Sequence, residues 1–270
     1  MRGSLLDVPG LRLGHWTGAG TGCTVLLVDG PGAVASIDVR GGAPASFNTE
    51  SLYPGRLGSP VNALVLTGGS AFGLETCSGV MQYLAEGGVG LAFGGSKVPI
   101  VCGAAIFDLA VAQGAPPDKQ AGYQACLAAT DNEDRRGRVG AGAGATVGKA
   151  LGRPGIMPGG LGMASALCGP HMVGAIAVVN AVGDIVDRDG GIVAGARRED
   201  RSFANAVSLI AESGTMRRLP PMASTTLAIV ATSGALDRDG ALRVARMAHD
   251  GMARAIRPAH TLTDGDVVFV

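Results

Sequence analysis

The sequence predicts an α/β protein built from layers of sheet and helix. Short apolar runs rich in β-branched residues are mixed with separate segments of helical period, without the regular alternation that a parallel sheet requires. Glycine accounts for 45 of the 270 residues and shows no collagen-like period, so many tight turns and close backbone contacts are expected. A hydrophobic content of 47% with 16% charged residues is typical of a compact chain.

The first half of the chain contains three predicted strands and two predicted helices. The strands are CTVLLVD from Cys23, AVASIDV from Ala33 and VNALVLT over 61–67, and the first two are separated by a Gly-Pro-Gly turn. A helix follows, with four apolar residues spaced to share one face: Leu74, Cys77, Met81 and Leu84. An extended segment over 97–101 and a helix over 122–130 come next.

The second half begins with HMVGAIAVVNAVGDIVD over 171–187, which predicts a strand, a turn at Gly183 and the start of a return strand. A helix is predicted over 199–213, with four residues facing inward: Phe203, Ala206, Val207 and Ile210. Residues 214–223 have no periodicity and contain two prolines, which indicates a surface loop. A buried strand over 227–232 and a helix over 237–256, stopped by Pro258, complete the pattern.

Charge and cysteine content exclude several classes of function. Basic and acidic residues balance at 22 each, so neither a nucleic-acid groove nor an acidic membrane surface is indicated. No run reaches membrane-spanning length, and the N-terminus lacks the apolar core of a signal peptide. The five cysteines form no C-x-x-C pair and lie among small or apolar residues, which predicts reduced, buried thiols in a cytoplasmic protein: Cys23, Cys77, Cys102, Cys126 and Cys168.

Two glycine-rich stretches imitate known motifs but depart from them. GAGAGATVGKALG over 140–152 lacks the first glycine of a phosphate-binding loop and has Ala150 where a magnesium-binding hydroxyl is needed, so nucleotide binding is not expected. TGGSAFG resembles a nucleophile elbow around Ser70, but Phe72 replaces the final glycine. Ser70 is therefore predicted to be a helix N-cap, with neighbouring backbone N–H groups free for an anion.

Polar residues in apolar or glycine-rich surroundings are the candidate site residues, each with a structural alternative. Lys149 is either a partly buried amine with a lowered pKa or a solvated surface lysine. Asn180 ends the strand GAIAVVN and either donates to an oxyanion or caps a turn. Asp264 and Asp266, one residue apart before the last strand, either face a common site or only flank a turn at Gly265.

The stretch MASTTLAIVAT places a serine and two threonines where a proline-broken loop meets a core strand. Serine and threonine are ordinary residues at the start of a strand. The same position would also present a nucleophile held by the strand and joined to a movable loop.

Seven segments together resemble the DmpA-type peptidases, in the family's order: TGGSAFGL, VPIVCGAAIFDL, GATVGK, GGLGMAS, VVNAVGD, STTLAIVAT and HDGMARAIRPAHTLTDGDVVF. This family includes L-aminopeptidase/D-esterases, β-aminopeptidases and 6-aminohexanoate-oligomer (nylon) hydrolases. The resemblance covers essentially the whole chain. It implies a four-layer αββα sandwich of the DmpA and ornithine-acetyltransferase type, similar to N-terminal-nucleophile hydrolases, in one catalytic domain over 1–270.

The resemblance also implies the roles of individual residues. The family precursor cuts itself before a Ser or Thr that becomes the nucleophile, and here that cut falls between Ser224 and Thr225, giving chains 1–224 and 225–270. The resemblance further implies Lys149 as a lysine near the nucleophile and Asn180 as the oxyanion asparagine. It implies Asp264 with Asp266 as the polar or acidic pair around the nucleophile. A loop that supplies backbone donors is implied at Gly69 with Ser70. No metal or other cofactor is implied.

The resulting hypothesis is a self-processing hydrolase of amide or ester bonds in amino-acid or ω-amino-acid substrates. A threonine hydroxyl needs a nearby base, and the α-amino group freed by cleavage, with a pKa near 8, is such a base. The expected partners are a small amide or short peptide and further copies of the processed protomer in a homo-oligomer. Alternatives are acyl transfer as in ornithine acetyltransferases, and an unprocessed, inactive oligomeric binding protein. A fourth reading is a serine hydrolase pairing Ser70 with a histidine: His171, His249 or His260.

Three features differ from the family pattern. Ser224 precedes the nucleophile where relatives usually have Asn or Gly, and Phe107 stands where several members carry a substrate-contacting tyrosine. Family chains generally continue past the last strand, so a short or truncated member is expected.

Overall fold

A computed structural model of the chain describes residues 3–58, 60–213 and 224–270. Its centre consists of two five-stranded sheets. Sheet 1 contains, in spatial order, β1 (Leu11–Thr17), β2 (Gly22–Val28), β5 (Ala63–Thr67), β8 (Val101–Ala105) and β4 (Ser46–Phe47). Sheet 2 contains β11 (Gly160–Cys168), β12 (His171–Asn180), β15 (Thr225–Thr232), β17 (Val267–Phe269) and β3 (Ile37–Val39). Within each sheet one pair is parallel, β5 with β8 and β15 with β17, and the other neighbours are antiparallel.

The remaining strands of the described residues form three smaller sheets. β9 (Thr146–Val147) pairs with β10 (Met157–Pro158), and β6 (Leu91–Phe93) pairs with β7 (Ser96–Val98). The third small sheet joins β13 (Asp184–Val186) to β14 (Ile192–Ala194) and β16 (Ile256–Arg257).

In the described ranges, five α-helices accompany these strands: α1 (Ser70–Gly73), α2 (Thr76–Glu86), α3 (Lys119–Leu127), α4 (Ala206–Ser213) and α5 (Arg238–Ala255). Asp118 and Asp237 cap α3 and α5, because each carboxylate accepts the backbone N–H three residues further on. No helix in the described part of the chain is long and apolar enough to cross a membrane.

The two-residue period of the strands divides the core into layers. On β2, Leu26 faces the other sheet, whereas Val25 and Leu27 pack with residues of α2 and α3. On β15, Leu227 and Ile229 face sheet 1, whereas Ala228 packs against Met252 and Ala245 of α5. Helix, sheet, sheet and helix therefore stack in that order, and the predicted four-layer αββα sandwich is confirmed.

Several boundaries differ from the predictions. β13 does not return along β12 but pairs with β14 and β16. α4 begins at Ala206 rather than 199, because the buried carboxylate of Asp184 accepts the Ala206 N–H. Phe203 lies before this helix, with its ring under the Arg197 guanidinium, and Val207 is 49% exposed rather than inward.

Two further expectations concern the cysteines and one loop. Cys168 is exposed, whereas the other four cysteines are buried as predicted. The loop predicted over 214–223 lies outside the described residues.

Candidate active site

Thr225 is the first residue of β15 and lies on the face of sheet 2 that meets sheet 1. Its side chain shares that face with Leu227 and Ile229, which belong to the core between the sheets. Asn180, the last residue of β12, is its direct partner in the antiparallel register. Thr225 is only 4% exposed. The nucleophile candidate and the asparagine candidate therefore lie side by side at one end of the intersheet core.

The peptide bond between Ser224 and Thr225 is held by several contacts. The Thr225 hydroxyl donates to the carbonyl oxygen of Ser224 at 2.6 Å. The same oxygen accepts the backbone N–H of Gly265 at 2.9 Å. The Ser224 hydroxyl donates to a carboxylate oxygen of Asp264. The Thr225 hydroxyl is thus placed against the Ser224 carbonyl group that it would attack.

Lys149 is buried, with 2% of its surface exposed, so the alternative of a solvated surface lysine is wrong. It follows Gly148, whose φ of 71° lies in the left-handed region that favours glycine. The Lys149 amine donates to the backbone carbonyl of Asn180 at 2.9 Å and to its side-chain oxygen at 2.8 Å. Burial lowers the pKa of Lys149 from 10.5 to about 7, although the charges of Asp264 and Asp108 oppose the change.

The Asn180 side chain contacts residues that are distant in sequence. Its oxygen accepts from Lys149 and from the Thr146 backbone N–H at 3.0 Å, and its amide nitrogen donates to the Phe107 carbonyl at 3.0 Å. These contacts differ from the local turn cap considered as the alternative. One of the two amide hydrogens is bonded to Phe107, so any oxyanion contact would use the other.

Asp264 and Asp266 both contact the segment around the junction, so they do more than flank a turn. Asp264 accepts from the Ser224 hydroxyl, and Asp266 accepts the Thr226 N–H at 2.6 Å. Burial raises the pKa of Asp264, and the charge of Asp266 raises it further. The other oxygen of Asp266 lies 2.8 Å from His260 Nδ1, and this hydrogen bond raises the pKa of His260.

Gly69 and Ser70 differ from their predicted roles. Gly69, with a left-handed φ of 78°, is the N-cap of α1, and Ser70 is the first residue of this helix rather than its cap. The Gly69 N–H donates to Asp108 at 2.7 Å, and the Ser70 N–H donates to the Ile106 carbonyl at 2.9 Å. These two N–H groups are therefore occupied in the structure, and a donor role for this loop stays a prediction.

Asp108 was not among the residues predicted from the sequence. It is fully buried, and burial raises its pKa, while the Gly69 N–H opposes the rise. Its neighbour Phe107 provides the carbonyl that binds Asn180. In the sequence, Asp108 directly follows an apolar run in the segment IFDL, and this pattern could have identified it as a candidate site residue.

The histidines do not form a catalytic pair with Ser70 within the described residues. His249 is fully buried, with Nε2 3.0 Å from the backbone oxygen of Asp38, and His260 is bonded to Asp266. His171 begins β12, whereas Asn180 ends it, so the length of the strand separates His171 from this site.

The model of peptidase family S58 matches residues 3–270. The chain belongs to this family. The predicted DmpA-type membership is confirmed, and the S58 protein is a hydrolase.

Curated relatives agree with this membership, and a solved structure agrees with the fold. An uncharacterized aminopeptidase of Mycobacterium leprae is 40% identical over 98% of this chain and 77% of its own. A 6-aminohexanoate-oligomer endohydrolase of a Kocuria strain is 32% identical over 97% of this chain and 73% of its own. The L-aminopeptidase D-Ala-esterase/amidase of Ochrobactrum anthropi, described as a variant of the Ntn-hydrolase fold, has a TM-score of 0.70 at 16% identity. That alignment covers 100% of this chain and 74% of the other, and it supports the fold.

Proposed function

We propose that this S58 protein cuts its own chain before Thr225 and then uses that residue as an N-terminal nucleophile. The observation that carries the proposal is the contact between the Thr225 hydroxyl and the carbonyl oxygen of the preceding peptide, at 2.6 Å. Lys149, Asn180 and the two aspartates lie around this junction. The reaction proposed for these groups is acyl transfer through an ester of the threonine hydroxyl.

The cleavage proceeds in two balanced steps. The Thr225 oxygen attacks the Ser224 carbonyl carbon and loses its proton; the C–N bond then breaks, and the nitrogen takes up a proton as the new α-amino group. The product is an ester between Ser224 and the Thr225 hydroxyl. Water then hydrolyses this ester, which releases the Ser224 carboxylate and restores the hydroxyl.

Lys149 is proposed as the group that receives the hydroxyl proton during self-cleavage. With its pKa lowered to about 7, a large fraction of Lys149 is a neutral amine at neutral pH. A neutral amine still has two N–H groups, enough for both of its hydrogen bonds to Asn180. After the cut, the freed α-amino group, with an ordinary pKa near 8, becomes available as a second base.

The proposed substrates are amides or esters of amino acids and ω-amino acids. Support comes from relatives named as aminopeptidases and as 6-aminohexanoate-oligomer endohydrolases. Thr225 attacks the substrate carbonyl, the amine leaves, and water resolves the acyl-enzyme. We further propose that the processed protomers assemble as a homo-oligomer in the cytoplasm, which light scattering and cell fractionation test directly.

Intact-mass analysis and N-terminal sequencing test the self-cleavage. We expect fragments of 224 and 46 residues that stay associated, because β15 and β17 of the short fragment lie between β12 and β3 of the long one. Thr225→Ala should remain one chain and be inactive towards amino-acid p-nitroanilides, whereas Thr225→Ser should retain partial processing. A fully active sample whose N-terminus is only Met1 or Arg2 would refute the mechanism.

A further inference from the structure

The segment Asp264–Gly265–Asp266 runs beside the segment Ser224–Thr225–Thr226 and contacts both sides of the bond to be cut. Ser224 and Asp264 form a parallel bridge, which continues the parallel register of β15 with β17. The first aspartate accepts from the Ser224 hydroxyl, the glycine N–H donates to the Ser224 carbonyl, and the second aspartate accepts the Thr226 N–H. We call these three contacts the DGD clamp.

The Ser224 carbonyl oxygen is the atom on which negative charge develops when Thr225 attacks. It lies 2.9 Å from the Gly265 nitrogen, within the range of about 2.7 to 3.1 Å that suits a donor to an oxyanion. We propose that the Gly265 backbone N–H is the oxyanion donor for self-cleavage, and that Asp264 keeps the carbonyl on this donor by binding the Ser224 hydroxyl. This inference rests on the proposed function and gives a role to Gly265, which the sequence indicated only as a turn.

The alternative donor, Asn180, uses one of its two amide hydrogens for another contact. Its amide nitrogen donates to the Phe107 carbonyl, and its oxygen accepts from Lys149. Asn180 approaches Thr225 from β12, whereas the DGD clamp approaches from the β17 side. Of these two groups, Gly265 is the one that contacts the Ser224 carbonyl in the structure.

Glycine at position 265 also leaves space for the nucleophile. A Cβ atom there would lie 2.8 Å from the Thr225 hydroxyl oxygen and 2.9 Å from the Ala43 carbonyl oxygen. A side chain at this position would therefore displace the hydroxyl or the neighbouring backbone. The residue that donates to the carbonyl oxygen must also be small enough to let the attacking hydroxyl approach it.

An amide-to-ester replacement at Gly265 removes the N–H and adds no side chain. Glycolic acid would be inserted at position 265 by nonsense suppression during cell-free translation of the full, radiolabelled chain. Suppression with glycine at the same codon provides the reference. The matched control is the same replacement at Gly190, whose N–H donates to the Asp187 carbonyl in a turn away from the junction. The rate of fragment appearance is followed on a denaturing gel, and resistance to added protease reports folding.

We expect the ester at 265 to slow self-cleavage by about 100- to 1,000-fold, the usual effect of removing one oxyanion donor. The ester at 190 should leave the rate within about threefold of the glycine reference, since it removes only a turn hydrogen bond. Ser224→Ala keeps the carbonyl and its donor but loses the bond to Asp264, so it should slow cleavage by roughly tenfold.

The outcomes separate this inference from the proposed function. A folded 265 ester that cleaves at the reference rate would overturn the role of Gly265 and leave self-processing standing. A natural chain that never cleaves would overturn both. If the 265 ester is degraded by protease, Ser224→Ala decides, because cleavage at the reference rate in that variant would overturn the proposal that Asp264 keeps the carbonyl on its donor.

Discussion

Replacing Lys149 by methionine tests whether the site depends on a buried amine. Burial lowers its pKa from 10.5 to about 7, and each pKa unit corresponds to about 1.4 kcal/mol. Below pH 7 the folded chain therefore holds a buried ammonium group, which costs roughly 4 to 5 kcal/mol relative to the neutral amine. Methionine removes this cost and also removes two hydrogen bonds to Asn180, worth about 1 kcal/mol each.

The effect of Lys149→Met on stability should depend on pH. The unfolded chain keeps the lysine proton up to about pH 10.5, whereas the folded chain releases it near pH 7. The free energy of unfolding of the chain with Lys149 therefore rises between about pH 7 and pH 10.5, because the unfolded state binds more protons in this range. We expect the variant to be more stable by roughly 2 to 3 kcal/mol at pH 6, with an advantage close to zero at about pH 9.

The measurement is urea unfolding followed by circular dichroism at both pH values. The chain with Lys149 and the chain with Lys149→Met both carry Thr225→Ala, so that each remains one chain. Lys119→Met on α3 is the control, because Lys119 is exposed. Equal destabilisation by Lys149→Met at pH 6 and pH 9 would refute the buried, shifted amine. With Thr225 intact, Lys149→Met should fold but lose most activity, and near-normal turnover would exclude Lys149 from the chemistry.

Two further predictions concern neighbours of the junction. The Thr226 hydroxyl is buried and has no hydrogen-bond partner among the described residues. Thr226→Val should therefore leave the free energy of unfolding unchanged or raise it by up to about 1 kcal/mol, and cleavage should proceed. A loss of cleavage in the folded variant would contradict this. Asp266 raises the pKa of His260, so this pair stabilises the fold below the unfolded pKa of about 6.5 and loses its effect as the pH rises through the raised folded value. His260→Gln in the Thr225→Ala background should therefore destabilise more at about pH 5.5 than at pH 9 in urea unfolding, and an equal loss at both would show that no charged pair forms.

Strands and several site residues could be predicted because their signals are local. Asn180 and Thr225 are polar residues at the ends of apolar runs, and each lies at a strand end in the structure. Their contact with each other depends on the register between β12 and β15, which no local pattern contains. Only the ordered resemblance to a family could bring them together with Lys149 before the fold was known.

The missed features depend on long-range contacts. The Gly69 N–H is bonded to Asp108, 39 residues away, so the sequence around Ser70 could not show that this donor is occupied. The start of α4 was misplaced for the same reason, since Asp184 binds the Ala206 N–H from 22 residues away. Local propensity identified these segments, but the partners of their polar groups were decided by tertiary packing.

The burial of Thr225 gives a physical reason why the proposed cut would have to precede catalysis. The hydroxyl is enclosed between the sheets, and the Ser224 carbonyl occupies the position that a substrate carbonyl would need. The proposed cleavage would break the covalent link that holds this carbonyl against the hydroxyl, and an ionised Asp264 would repel the new carboxylate at Ser224. Departure of Ser224 would then release the Gly265 N–H at the moment when the α-amino base appears. On this reasoning one bond cleavage supplies the base, the donor and the space for substrate together, so a precursor blocked by Thr225→Ala should bind substrate analogues far more weakly than the processed enzyme.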